Sequence, residues 1–323
     1  MAMKILERNW VKQLLLIIFT FTIVQILIGL NIINDYLQVT LATICINIIL
    51  AVSLNLITGF TGQFSLGHAG FMSIGAYMCA IITLRMPTLT GFLLGVFSGA
   101  ALAALVGFVV GLPTLRLRGD YLAIATLGMS EIIRIIFLNL KITNGAAGLS
   151  GIPQFVNWFW LYLFTTGTVL IIVHFLNSSH GRACISIRED EIAAEAMGIN
   201  TTKYKVMAFT IGAFCAGIAG ALYSSYFYFI KPDLFGFLKS IDVLVIVVLG
   251  GMGSISGSIL AAVLLALIST FLQSFPEIRM ILYSLALVAI MIFRPQGLMG
   301  SREISLAIFN KWSSLFASRK GRV

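Results

Sequence analysis

Long apolar runs separated by short polar breaks set the pattern of this chain. Runs close to the ~20 residues that a helix needs to cross a bilayer core occupy 13–30, 39–57, 66–84, 92–112, 121–139, 158–176, 207–227 and 256–275. Two shorter runs, 241–251 and 280–293, either cross with help from tilt or thinning or turn back inside the membrane. The pattern predicts an all-α membrane protein, a polytopic helical bundle of about ten transmembrane segments. With the N-terminus placed in the cytoplasm, alternation puts fifteen Lys and Arg residues inside and five outside, leaving Arg134 within a span. That bias is the one expected of basic residues flanking spans, and it makes both termini cytoplasmic. The expected organisation is a membrane-spanning body over 1–300, a cytoplasmic polar segment at 177–206 within it, and a basic tail at 301–323.

The polar segment, NSSHGRACISIREDEIAAEAMGINTTKYKV, holds Glu189, Asp190, Glu191 and Glu195, four of the twelve acidic residues. Ser186 and Glu189 have the spacing of a capping box, in which two side chains satisfy free backbone donors at a helix start. Glu189, Asp190 and Glu191 then fall in a first turn, where the helix dipole favours negative charge. Ala193, Ala194 and Ala196 continue the helix, and Gly198 with Asn200 supplies a stop. The expectation is a short, rigid, charged helix between two spans.

Two apolar regions are interrupted by glycine: TGFTGQFSLGHAGFMSIG at 58–75 and GGMGSISG at 250–257. Irregular backbone survives in a membrane only where protein or a water-filled cavity covers it, and paired interruptions of this kind mark translocation routes in transporters. Gly62, Gln63, Ser65, His68, Gly251 and Ser254 are the candidates for lining such a route; tight turns and small-residue helix contacts are the plainer reading. No acidic residue is near His68 in sequence, so a histidine hydrogen-bonded between helices fits better than a proton relay. Glu131 and Arg134 lie within a span, where each costs about 2.5–3.5 kcal/mol at the centre of an isolated helix. Their i,i+3 spacing lets them neutralise each other, as a functional ion pair or as a packing pair. Asp242 is expected at the outer N-terminal end of the 241–251 segment. The connection at 140–157 is rich in glycine, yet Leu149, Ile152 and Phe155 give it apolar groups to pack.

Composition narrows the function classes. The chain is 59% hydrophobic and 10% charged over 323 residues, far below the ~25% charged content of soluble domains. Its net charge of +9 is spread over the ends of apolar runs, so it forms no nucleic-acid patch. Four cysteines, Cys45, Cys79, Cys184 and Cys215, lack metal-ligand or CxxC spacing and read as small apolar fillers. No phosphate-binding G-x-x-x-x-G-K-[ST] loop, HExxH or GxSxG motif occurs, which argues against an enzyme and against nucleotide binding by that route.

Several stretches together carry a resemblance: TGFTGQFSLGHAGFMSIGAY (58–77), LRLRGDYLAIATLGMSEIIRIIFLN (115–139), TNGAAGLSGIP (143–153), GRACISIREDEIAAEAMGINTTKYKVMAFTIGAFCAGIAGAL (181–222), VLGGMGSISGSI (248–259) and FRPQGL (293–298). In that order the chain resembles the LivM-type permeases of bacterial branched-chain amino acid ABC transporters. The resemblance implies a type-II-importer-like bundle in the bacterial inner membrane, with no cofactor of its own. It implies a LivH-type second permease, two ATPase subunits of LivG and LivF type that bind the ATP, and an extracytoplasmic substrate-binding protein. It also implies that Arg188, Glu189, Asp190, Glu191, Ala193, Ala194, Glu195 and Gly198 form the ATPase-coupling segment. Asn144, Gly148 and Leu149 in the external connection would then receive the binding protein. Leucine, isoleucine and valine are the implied cargo, with urea, short amides or other amino acids carried by relatives. An ion-coupled carrier using Glu131, His68 or Asp242, and a non-transporting scaffold, are the readings from other classes.

Overall fold

The structure is a computed structural model that describes residues 10–117, 119–271, 285, 288 and 297–300. The expected tail at 301–323 and nearly all of the 280–293 run lie outside the described residues. The other apolar runs all form helices: α1 (Trp10–Gly29), α2 (Asp35–Asn55), α3 (His68–Arg85), α4 (Leu89–Thr114), α5 (Asp120–Asn139), α6 (Trp158–Asn177), α9 (Thr201–Phe227), α10 (Phe237–Gly250) and α11 (Ile255–Phe271). Two short helices, α7 (Ser179–Glu189) and α8 (Glu191–Ala196), occupy the polar segment. Among the described residues, five helical stretches are long and apolar enough to cross a membrane: 35–60, 89–114, 120–139, 158–177 and 201–227.

The core is built on α3, α4 and α9, and small residues set how closely they approach. A Cβ at Gly75 would lie 2.0 Å from the Gly217 carbonyl oxygen, so α3 and α9 touch backbone to backbone there. Phe71 and Phe209 meet edge to face beside that crossing, with ring centroids 5.4 Å apart. Of the five long apolar stretches, 35–60 is the most enclosed, with α2 bounded by α6, α9, α10 and α11. α1 packs at the edge on α6, through a Thr20–Tyr162 hydroxyl contact of 2.5 Å.

Connectivity gives the bundle two ends. α7 and α8 sit where α6 finishes and α9 starts. At the other end a two-residue antiparallel pair, β1 (Leu149–Ser150) and β2 (Phe229–Ile230), joins the 140–157 connection to the segment after α9. That connection is ordered as its apolar residues predict: Ile152 and Val156 are buried, and Phe155 stacks against Phe92 at 6.4 Å.

Two local expectations are corrected. Ser186 caps nothing: it lies inside α7, and its hydroxyl donates to the Ala183 carbonyl at 2.8 Å. The chain instead breaks at Asp190, whose carboxylate accepts from the Ile192 and Ala193 amides at 2.9 and 3.0 Å and starts α8. Glu189 therefore ends one helix while Glu191 begins the next, and Gly198 (φ +84°) closes α8 as expected. Asn200 does not stop α8 but caps α9, accepting from the Lys203 amide at 3.0 Å. The second correction concerns α10, which starts at Phe237 after a 3-10 turn over Pro232–Phe235, so Asp242 lies in its second turn rather than at its N-terminal end.

Candidate functional site

The two glycine-interrupted regions meet. α2 ends in a π-helical turn, Leu56–Phe60, and the α10–α11 turn at 251–254 lies against it. Asn55, fully buried, holds them together: its Nδ2 donates to the Ser254 carbonyl at 2.9 Å and to Ser258 Oγ at 2.8 Å, and its Oδ1 accepts from the Gly253 amide at 2.9 Å. Only glycine permits this contact. A Cβ at Gly59 would fall 1.8 Å from Asn55 Oδ1 and 2.4 Å from the Gly253 nitrogen, and Gly253 itself has φ +87°.

A third element reaches the same point. Arg188, near the end of α7, donates from Nη1 to the Gly59 carbonyl at 2.8 Å, while Nε and Nη2 hold Glu189 at 3.2 and 2.5 Å. Gly62 packs on the Arg188 stem, where a Cβ would stand 3.1 Å from Cγ. One guanidinium thus ties the α7–α8 pair to both glycine regions. A second tie runs from α8 to the long helix α9: Lys205 Nζ meets Glu191 Oε2 at 2.8 Å, with the lysine almost wholly buried. Ala194 turns inward, whereas Ile192 (71% exposed) and Met197 (83%) project outward with Ala193, Glu195 and Gly198 exposed around them. α8 is therefore anchored on one face and presents an apolar, acidic-rimmed knob on the other.

From the junction the chain runs through an extended stretch, 62–67, into α3. The first turn of α3 is met by side chains from three other elements. His68 Nε2 and Ser53 Oγ are 2.8 Å apart, the Ala69 amide donates to Ser240 Oγ of α10 at 3.2 Å, and the Leu66 amide donates to Thr126 Oγ1 of α5 at 3.1 Å. His68 is thus bonded between helices, and its Nδ1 is buried without a partner among the described residues. The Gln63 side chain is also buried, and neither its amide nitrogen nor its oxygen has a partner among the described residues. Ser65 is buried and accepts from the Gly67 amide at 3.4 Å. Unmet polar groups in a packed interior cost free energy unless water or a ligand meets them.

The remaining candidates stand apart from this junction. Glu131 and Arg134 do pair, Nε to Oε2 at 2.7 Å, but Arg134 also reaches Asp233 Oδ1 at 3.2 Å, so the pair is a triad. Asn144 (φ +58°) and Gly148 (φ +74°) shape the connection at the β1–β2 end, where Asn144 Nδ2 donates to the Gly148 carbonyl at 3.1 Å and Leu149 pairs with Ile230. The four cysteines are free and buried, and no group of metal-ligating side chains occurs among the described residues. On α7, burial pushes the Cys184 thiol up to about 11, against a weaker opposing hydrogen bond to Thr61.

Sequence reasoning missed Asn55, Lys205 and Asp233. Asn55 carried a usable signal, an amide at the end of an apolar run and just before a glycine cluster. Lys205 and Asp233 carried none, because each takes its role from a partner distant in sequence.

Residues 36–291 match the family described as branched-chain amino acid transport system / permease component. The high-affinity branched-chain amino acid transport system permease protein LivM of Escherichia coli K12 is 38% identical over 300 residues, covering 82% of this chain and 70% of the relative. LivM of Salmonella typhimurium is 39% identical over 293 residues, 79% of this chain and 68% of its own length. LivH of Escherichia coli K12 is 27% identical over 291 residues, 79% and 92% respectively. No solved structure matches the chain.

Proposed function

Because the chain belongs to the family of permease components of branched-chain amino acid transport systems, we propose that it is the membrane-spanning subunit of an ATP-driven importer of leucine, isoleucine and valine. In this reading a binding protein outside the bacterial inner membrane delivers the amino acid to the β1–β2 end, at Asn144, Gly148 and Leu149. A LivH-type permease completes the membrane unit, and two ATPase subunits of LivG and LivF type bind the α7–α8 end. Both termini are cytoplasmic, and about ten segments cross the membrane in a type-II-importer-like bundle.

One observation carries the coupling step: the Arg188 guanidinium links α7 to the Gly59 carbonyl, where the two glycine regions interlock. ATPase closure would press on Ile192 and Met197, the exposed knob of α8. Asp190 and Lys205 keep α8 rigid and joined to α9, so the push travels as a rigid-body movement. Arg188 passes it to the junction of α2, α10 and α11. The route would run along the stretch from Gly62 and Gln63 through Ser65 to His68, bounded by Gly251 and Ser254. Its unmet polar atoms suit a passage that is wetted in one state of the cycle.

The test is a pull-down of tagged permease from native membranes in mild detergent, with Ala194→Pro beside the wild type. The proline removes the Ala194 amide that donates to the Asp190 carbonyl at 3.0 Å and breaks α8. ATPases and a second permease are expected with the wild type, and the ATPases are expected to be lost in the variant. Wild type arriving without ATPases, together with uptake abolished by a protonophore alone, overturns the importer reading in favour of an ion-coupled carrier.

A further inference from the structure

α5 buries one side, through Leu122, Ala123, Thr126, Ser130 and Ile133, against the bundle. The opposite stripe carries Ile124, Gly128, Glu131 and Ile135, spaced four, three and four residues apart on one helix face. Ile124 and Ile135 are exposed, and Gly128 and Glu131 between them are half-buried. A stripe that faces only lipid looks different. On α4 the open residues Leu94, Phe97, Leu105, Phe108 and Leu112 are all large and apolar. A carboxylate on a span is destabilising beside lipid, and glycine weakens a helix interior unless something uses the space it leaves. Among the described residues nothing uses it: a Cβ at Gly128 would meet no atom within 4 Å outside its own helix. Small residues at such places let two membrane helices approach closely.

Charge narrows the choice of neighbour. Glu131 and Asp233, with side chains 30% and 62% exposed, share the single Arg134 guanidinium, so the triad holds one carboxylate in excess at this face. A second copy of this chain, meeting it through the same patch across a two-fold axis, would bring a second excess carboxylate to the same place. A different chain that supplies a cation fits instead. We propose that the Ile124–Gly128–Glu131–Ile135 stripe of α5 is the face on which a span of the homologous second permease packs, with a basic residue of that partner set against the triad. Gly128 admits the partner helix, the two isoleucines pack on either side of it, and the triad decides which chain can sit there. This rests on the importer reading above for the existence of a second permease.

The intact complex in native membranes tests it by photocross-linking. The photoreactive residue p-benzoyl-L-phenylalanine replaces Ile135 in one protein and Leu105, on the open face of α4, in another, and adducts are identified by mass spectrometry. Ile135 is expected to cross-link to the second permease, and Leu105 to lipid alone. Gly128→Leu should lower the amount of second permease recovered with the tagged chain about tenfold, because the added side chain overpacks the contact. The same substitution meets nothing within this chain, so expression and the elution profile of the solubilised protein should stay at the wild-type level. Adducts at Ile135 with lipid alone, or with a second copy of this chain, overturn the proposal, as does wild-type recovery of the partner with Gly128→Leu. A wild-type complex that contains no second permease overturns the importer reading and this inference with it. A complex that contains one which Ile135 does not reach overturns this inference alone.

Discussion

Asn55→Leu is the substitution that most directly tests the junction. Leucine keeps the branched shape of asparagine but carries no polar atom and is bulkier, so it removes the hydrogen bonds while leaving the site filled. Three bonds are lost, to the Ser254 carbonyl, Ser258 Oγ and the Gly253 amide. At the ~0.6 kcal/mol averaged for such side-chain bonds within membranes, the three contribute about 2 kcal/mol. The Ser254 carbonyl keeps Ser258 Oγ at 3.0 Å, but the buried Gly253 amide loses its acceptor, which adds about 1–3 kcal/mol. The sum is about 3–5 kcal/mol, enough to lower the midpoint of thermal unfolding of the detergent-solubilised complex by several degrees. The assay pairs that midpoint with leucine uptake per ATP hydrolysed in proteoliposomes. Both should fall, because the α10–α11 turn no longer stays on the π-helical turn of α2. An Asn55→Leu protein with a wild-type midpoint and a wild-type uptake ratio would refute the claim that this amide joins the two glycine regions.

Other substitutions separate the remaining contacts. Arg134→Gln should cost more than Glu131→Gln, about 2 against about 1 kcal/mol, because it leaves two carboxylates unpaired whereas Asp233 still serves Arg134 in the other; expression and thermal midpoints rank the two. Lys205→Met should leave the bundle folded but lower uptake per ATP several-fold, since Glu191 loses its buried partner and α8 its tie to α9; equal uptake ratios in proteoliposomes would count against that tie. Cys184, with its thiol pushed up to about 11 by burial, should resist maleimide at pH 7.5 in the folded complex and react only after denaturation, as read by mass spectrometry.

Apolar periodicity made the helices legible, because a span must hide its backbone within itself and so shows as an unbroken run. Glycine made the interruptions legible but not their meeting, since Gly59 and Gly253 come together only through the fold. The capping pattern misled at Ser186: the same Ser-x-x-Glu spacing fits a helix interior, where the hydroxyl bonds backward to Ala183, and two residues of context cannot tell the cases apart. The start of α10 was misplaced because Lys239 and Asp242 look like span-ending charges, although they stand one helical turn apart inside the helix. The Glu131–Arg134 pair was readable from i,i+3 spacing, while its third member lies ninety-nine positions beyond Arg134.

The β1–β2 pair is only two residues long on each side, yet it constrains how the chain can vary. Leu149 faces Ile230 and Ser150 faces Phe229, so the α5–α6 connection and the segment after α9 share one register. A one-residue deletion in either strand would turn its side chains to the opposite face. Gly148, just before the strand, has no room for a Cβ beside the Ile230 carbonyl. Insertions in family members should therefore collect on either side of 148–150 and 229–230, leaving a fixed clasp between two loops of variable length. A partner that pulls on one of those loops necessarily moves the other.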